Sequence, residues 1–76
     1  RQHPDYAKGL SNLADFYHVI GNDRAADALY QKAGDILSAT LGDGSAATAT
    51  VKARRVDVLR SLGRHTDAKR LASLLQ

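Results

Sequence analysis

The fold of this chain is decided by one stretch, Leu10-Ser11-Asn12-Leu13-Ala14-Asp15-Phe16-Tyr17, and by the Gly21 turn and Ala25-Ala26-Asp27-Ala28-Leu29-Tyr30 that follow it. Apolar residues in the first stretch occur at i, i+3, i+4 and i+7, which is the pattern of one helix face. Pro4 suits the first turn of a helix and Gly21 suits its left-handed end. The pattern therefore predicts one helix over residues 4–20 and a second over residues 23–41.

The second half of the chain predicts two more helices. Ser45 is a suitable N-cap for a third helix that ends at Gly63. A fourth helix follows, and its apolar residues are Ala68, Leu71, Ala72 and Leu75. Short turns between helices favour antiparallel neighbours. The predicted fold class is therefore all-α, with two antiparallel helix-turn-helix hairpins.

Length and composition limit the class of protein. The chain has 76 residues, of which 43% are hydrophobic, and it has no cysteine, which excludes disulfides and thiolate metal sites. No window approaches the roughly 18 consecutive apolar residues of a membrane span. The start has neither Met nor a charged region followed by an apolar one, so we expect a fragment of one small soluble domain, cytoplasmic in location.

An internal repeat becomes visible when the sequence is shifted by 42 residues. Identical residues then coincide at five places: Ala7 with Ala49, Asp15 with Asp57, Gly21 with Gly63, Ala26 with Ala68, and Leu29 with Leu71. Gly accepts a turn conformation, and a small Ala lets two helices approach closely. The repeat therefore predicts two similar hairpins, with Ala14 and Ala26 at the crossing of the first pair.

These residues resemble the tetratricopeptide repeat, in the 42-residue form of kinesin light chains. The resemblance is carried by His3-Pro4-Asp5, Ala7, Leu10-Ser11-Asn12-Leu13-Ala14, Tyr17, Gly21, Ala26, Leu29-Tyr30, Ala33, Ile36 and Leu41-Gly42. It implies a right-handed α-solenoid fragment with a first hairpin at 3–44. The second hairpin, at 45–76, is degenerate and truncated, because Lys52 and Arg55 occupy Leu positions. The whole chain, 1–76, is then one domain fragment.

The resemblance also implies a function and a site. In such repeats the first helix of each hairpin lines a concave groove that binds a protein or peptide without catalysis. By position, the groove residues are Lys8, Ser11, Asn12, Asp15 and His18, followed by Arg54, Asp57 and Arg60. Asn12 matches an Asn that binds a peptide backbone, and Arg54 lies 42 residues after it. Because the groove has three cations and two carboxylates, it is expected to prefer acidic or C-terminal carboxylate peptides.

Catalysis, cofactors and metal binding are not predicted. Ser11, Asp15 and His18 share a helix face, but Ser11 and His18 lie about 10 Å apart along the axis, too far for a nucleophile and its base. The three histidines are scattered, and no pair has the i, i+4 spacing of a helical metal site. We therefore expect that the chain is not an enzyme, that it holds no cofactor and that it has no metal ligands.

Two alternatives to peptide binding remain. Residues 1–44 carry four Lys or Arg and six Asp, whereas residues 45–76 carry seven Lys or Arg and two Asp. The basic second half could form a surface that binds nucleic acid. No aromatic residue in 45–76 is present to stack on bases, so this alternative is the weaker one. The chain could also regulate an enzyme domain outside it. Uncovered ends of the repeats favour self-association, and inward Arg55 is expected to extend its head to solvent or an exposed end.

Overall fold

The computed structural model describes residues 3–74, and this range folds into four α-helices. The helices are α1 (Pro4–Val19), α2 (Asp23–Leu41), α3 (Ala46–Ser61) and α4 (His65–Ser73). None of the described residues forms a β-strand. The predicted all-α class and the bounds of the first two helices are confirmed. Leu75, which was predicted on the fourth helix, lies outside the described residues.

Helices α1 and α3 begin with the same hydrogen bond, 42 residues apart. The Asp5 N–H donates to His3 Nδ1 at 3.0 Å, and the Ala47 N–H donates to Ser45 Oγ at 3.2 Å. Each bond satisfies an amide that has no partner within its helix. Pro4, which has no N–H, occupies the first turn of α1.

The turns after α1 and α3 are also alike. Gly21 has φ +86° and Gly63 has φ +79°, a region of backbone conformation that side chains disfavour. In both turns the residue after the glycine donates its N–H to the carbonyl five residues back, at 2.8 and 2.9 Å. The 42-residue repeat of the sequence is therefore also a repeat of backbone geometry at these two turns.

The main core lies between α1, α2 and α3, and each helix packs on its neighbours in the sequence. Its buried members are Ala7, Ala14, Ala26, Tyr30, Ala33, Ile36, Leu37, Val51 and Val58. Ala14 and Ala26 have no exposed surface, as expected for small residues between closely packed helices. A second cluster of Val56, Leu59 and Ala68 joins α3 to α4. Most of the buried alanines thus lie on α1 and α2, and the buried valines lie on α3.

Part of the predicted apolar stripes is exposed. Leu13 and Ile20 are 44% and 58% exposed, and Leu41 is 49% exposed. The apolar spacing that groups Leu13 and Ile20 with Leu10, and Leu41 with Leu37, predicts that these residues face the core, and for all three this prediction is wrong. Leu10, Ala14 and Tyr17 face α2, whereas Leu13 and Ile20 lie on a side of α1 that no other described helix covers. A helix that has neighbours on a single side can bury only about half of a broad apolar stripe.

Candidate functional site

The first cavity lies where the N-terminal half of α1 meets α3 and has a volume of about 380 Å³. Four of the predicted groove residues line it, namely Lys8, Ser11, Asn12 and Arg54. The other lining residues are Pro4, Asp5, Leu37, Leu41, Ala47, Thr50 and Val51. An apolar floor with a few polar groups at its edge is the usual composition of a ligand site.

A second cavity of about 330 Å³ lies further along the same two helices. It is lined by Asp15, His18, Val19, Tyr30, Arg54 and Asp57. Arg54 lines both cavities, so they are adjacent. We call the two cavities together the α1–α3 groove. Side chains from α1 and α3, about 40 residues apart in the sequence, therefore meet at one surface.

Asp15 is the most highly connected residue of the groove. Its carboxylate accepts a hydrogen bond from the Tyr30 hydroxyl, and it forms an ion pair with Arg54 at 2.9 Å. Burial, and then the bond to Asp15, raises the pKa of Tyr30 well above its ordinary value. Tyr30 is 2% exposed, whereas Asp15 and Arg54 side chains are 39% and 47% exposed. A buried donor thus orients a carboxylate that holds an arginine at the groove surface.

The charge balance of the groove differs from the sequence-based expectation. Arg54 is paired with Asp15, and Arg60 lies 3.8 Å from Asp57. Asp5 lines the first cavity as well, which the prediction did not include. Among the predicted groove cations, Lys8 makes no ion pair with any residue in the range 3–74. The two cavities are thus lined by two cations, Lys8 and Arg54, and by three carboxylates, those of Asp5, Asp15 and Asp57, so the lining lacks the net positive charge on which the expected preference for acidic peptides was based.

Not every predicted groove residue is at its surface. Ser11 is only 6% exposed, because a small side chain at that position packs between helices, and it contributes to the wall rather than to an open face. Arg60 lines neither of the two cavities. His18 Nδ1 lies 2.6 Å from Asp23, so Asp15 and His18 bond other partners than each other. Ser11, Asp15 and His18 consequently do not form a hydrogen-bonded chain.

A second ionic cluster, which was not predicted from the sequence, joins α2, α3 and α4. Asp27 accepts from Arg55 at 2.7 Å and from Arg64 at 3.4 Å, and Arg64 also pairs with Asp67 at 2.9 Å. We call these four residues the Asp27 cluster. The side chains of Asp27 and Arg55 are only 12% and 22% exposed. The expectation that Arg55 extends its head to solvent or an exposed end is wrong, because Asp27 binds the guanidinium inside the helix packing.

Two further properties concern the described residues as a whole. No helix in the range 3–74 combines the length and apolar character needed to cross a membrane. Within the same range, no three His, Asp or Glu side chains are grouped so as to hold a metal ion. Searches of protein-family models, of curated proteins and of solved structures found no significant match to this chain.

Proposed function

We propose that this chain is a tetratricopeptide-type module whose two antiparallel hairpins, 3–44 and 45–76, stack as a right-handed solenoid fragment. The repeated cap and turn geometry at a distance of 42 residues supports this proposal. So do the dimensions, because the Cα atoms span 30 × 27 × 15 Å. The short dimension suits two helix layers at the usual separation of about 8–10 Å.

We further propose that the module is a non-catalytic adaptor that binds a peptide or protein segment in the α1–α3 groove. The observation that carries this proposal is the meeting of Lys8, Asn12 and Arg54 around one cavity of about 380 Å³. An amide that can both donate and accept hydrogen bonds suits a peptide backbone. A guanidinium and an ammonium beside it suit a carboxylate.

Binding of an acidic peptide requires an exchange of partners at Arg54. Asp15 pairs with Arg54 in this structure, and a peptide carboxylate competes with it. Asp15 does not lose all its contacts in the exchange, since the Tyr30 hydroxyl still donates to it. The side chains of the internal pair are about half exposed to water, so breaking it costs on the order of 1 kcal/mol or less. Asp15 therefore lowers the affinity for acidic peptides without preventing their binding.

The test uses selection from a library of random peptides with free C-termini. Selected peptides are expected to be rich in acidic residues and to bind the Asn12→Ala and Arg54→Ala variants more weakly, by about 1–3 kcal/mol each. The Asp15→Asn variant keeps an acceptor for Tyr30 but removes the competing charge, and it is expected to bind acidic peptides more tightly. Isothermal titration calorimetry measures all four proteins.

The control variant removes a cation of the opposite side. Arg70→Ala, on α4, should leave the affinity for selected peptides unchanged. If peptides bind the Asn12→Ala and Arg54→Ala variants as tightly as they bind the original chain, the proposal that the α1–α3 groove is the binding site is contradicted. A single-stranded RNA that binds tightly and loses affinity when Arg64, Lys69 and Arg70 are replaced would favour the nucleic-acid alternative, with a strong salt dependence.

A further inference from the structure

The exposed apolar surface of the described residues is concentrated on one helix. Seven large apolar side chains are exposed within 3–74, and five of them belong to α1 or its C-terminal cap: Tyr6, Leu13, Phe16, Val19 and Ile20. Four of these five, all except Val19, lie within a sector of about 80° around the axis of α1, whereas Val19 lies outside this sector and lines the second cavity. An exposed patch of this kind on a small protein commonly marks a contact surface.

The spacing of these residues is that of a helix that packs along another helix. Tyr6, Gly9, Leu13, Phe16 and Ile20 follow one another at intervals of three and four residues. This is the heptad pattern, in which each pair of turns presents two residues to a partner helix. We call these five residues the heptad stripe. None of them is charged, so two copies of the stripe meet without electrostatic repulsion.

Gly9 interrupts the stripe with a gap. A β-carbon placed there would have no atom within 4 Å, so the backbone of α1 is open at this point. A gap beside large side chains is complementary to a second stripe that runs in the opposite direction. When two stripes overlap fully in that arrangement, Gly9 of one copy faces Phe16 of the other, and Tyr6 faces Ile20. Antiparallel helices also bring opposite ends of their dipoles together.

We propose that the heptad stripe is a homodimer interface, through which α1 pairs antiparallel with α1 of a second copy of this chain. A twofold symmetric contact of this kind uses the same patch on both copies. The surface is separate from the first and second cavities, whose α1 residues lie on another side of the helix. The proposal therefore stands whether or not the α1–α3 groove binds a peptide.

The size of the stripe predicts a weak dimer. Tyr6, Leu13, Phe16 and Ile20 are 43%, 44%, 56% and 58% exposed. Since a large side chain has about 200 Å² of surface, the four expose on the order of 400 Å² per copy, or about 800 Å² for a dimer. Stable interfaces bury about 1,200–2,000 Å² and weak ones less. The dimer should therefore dissociate in the upper micromolar range.

Analytical ultracentrifugation tests the proposal with matched variants. From about 10 μM to about 1 mM, the mass of the original chain should rise from 8.2 kDa toward twice that value. Phe16→Lys should weaken the dimer at least about tenfold, because it places a charge in the interface. Val19→Lys adds the same charge to the same helix, at a residue that is 82% exposed but off the stripe, and should change nothing.

A second variant separates loss of dimer from loss of fold. Gly9→Gln fills the gap in the interface, while Gln favours helix more than Gly does. It should raise the melting temperature of the diluted monomer and weaken the dimer. Mass that stays at 8.2 kDa at every concentration would overturn the proposal. Equal weakening by Phe16→Lys and Val19→Lys would overturn it as well, as would a dimer unaffected by Gly9→Gln.

Discussion

Arg54 and Arg55 are adjacent in the sequence, yet Arg54 pairs with a residue of α1 and Arg55 with a residue of α2. Arg54 pairs with Asp15 in the α1–α3 groove at 2.9 Å, and Arg55 pairs with Asp27 between the helices at 2.7 Å. The side chains of the first pair are 47% and 39% exposed, and those of the second are 22% and 12% exposed. Two pairs of the same chemistry therefore differ in how much water surrounds them.

This difference predicts different roles. Water screens the Arg54–Asp15 pair, so it contributes little to stability and can exchange partners with a ligand. The Arg55–Asp27 pair is largely shielded from water, so loss of Arg55 leaves the Asp27 carboxylate with only the longer contact to Arg64. The comparison teaches that an arginine at an apolar register position can join helices, whereas its neighbour remains available for binding.

The largest effect on stability is expected from a substitution that breaks the Arg55–Asp27 pair. Arg55→Ala should lower the free energy of unfolding by about 2–3 kcal/mol, because Asp27 keeps only the longer contact to Arg64. Arg54→Ala, the matched control, should cost about 1 kcal/mol or less. Urea denaturation followed by circular dichroism measures both variants. Equal destabilisation by the two substitutions would show that burial does not distinguish the two pairs.

An intermediate effect is expected when the buried Tyr30 hydroxyl, which donates to Asp15 of the Arg54–Asp15 pair, is removed. Tyr30→Phe removes the hydroxyl that donates to Asp15 and should cost about 1–2 kcal/mol. The raised pKa of Tyr30 means that the folded state favours the protonated phenol. Its contribution is complete below the pKa of the unfolded chain, near 10, and is lost as the pH rises above it.

The original chain should therefore lose stability at alkaline pH more steeply than Tyr30→Phe does. Thermal melting at a series of pH values from about 8 to about 11 measures this difference. Parallel curves for the two proteins would indicate that folding does not raise the pKa of the Tyr30 phenol. Arg54→Ala again provides the comparison, since it leaves the Tyr30 bond to Asp15 in place.

The smallest effect concerns the ion pair of Asp43, whose side chain is 78% exposed, with Lys52. The Ser38 hydroxyl donates to Asp43, and this bond, together with Lys52 at 3.4 Å, lowers the pKa of the Asp43 carboxyl. A carboxyl whose pKa is lowered by folding stabilises the chain at a pH above its pKa in the unfolded state. This contribution is lost as the pH falls through its pKa in the folded state. Ser38→Ala should move the Asp43 pKa back toward its usual range.

Nuclear magnetic resonance of the Asp43 side chain during acid titration measures that shift. The Ser38→Ala variant should also lose less stability than the original chain between about pH 5 and about pH 3. Lys52→Ala is the comparison variant, and it should also move the Asp43 pKa back toward its usual range, since Lys52 lowers that pKa by its charge and by a hydrogen bond. An Asp43 pKa that is unchanged in Ser38→Ala would show that the serine bond does not cause the shift.

Much of the local structure follows from the sequence alone. The i, i+3, i+4, i+7 apolar pattern, Pro4 and the glycines at 21 and 63 predict four helices, because helix periodicity and turn conformation depend on neighbouring residues. The 42-residue shift also predicts the equivalent turns that the structure has. For the groove, spacing placed Lys8, Asn12 and Arg54 on helix faces, and the resemblance aligned those faces with each other. Their roles in binding stay predictions.

The tertiary structure decided which charges pair and which apolar residues are covered. Asp27 and Arg55 are 28 residues apart, and nothing local to either residue indicates the other. The charge of the α1–α3 groove likewise depended on tertiary contacts, since Asp15 pairs with Arg54, which lies 39 residues later in the sequence. Exposure of Leu13 and Ile20 depended on which side of α1 receives a neighbouring helix. Periodicity shows that a helix has an apolar face, but long-range packing determines what covers that face and which partner each charge finds.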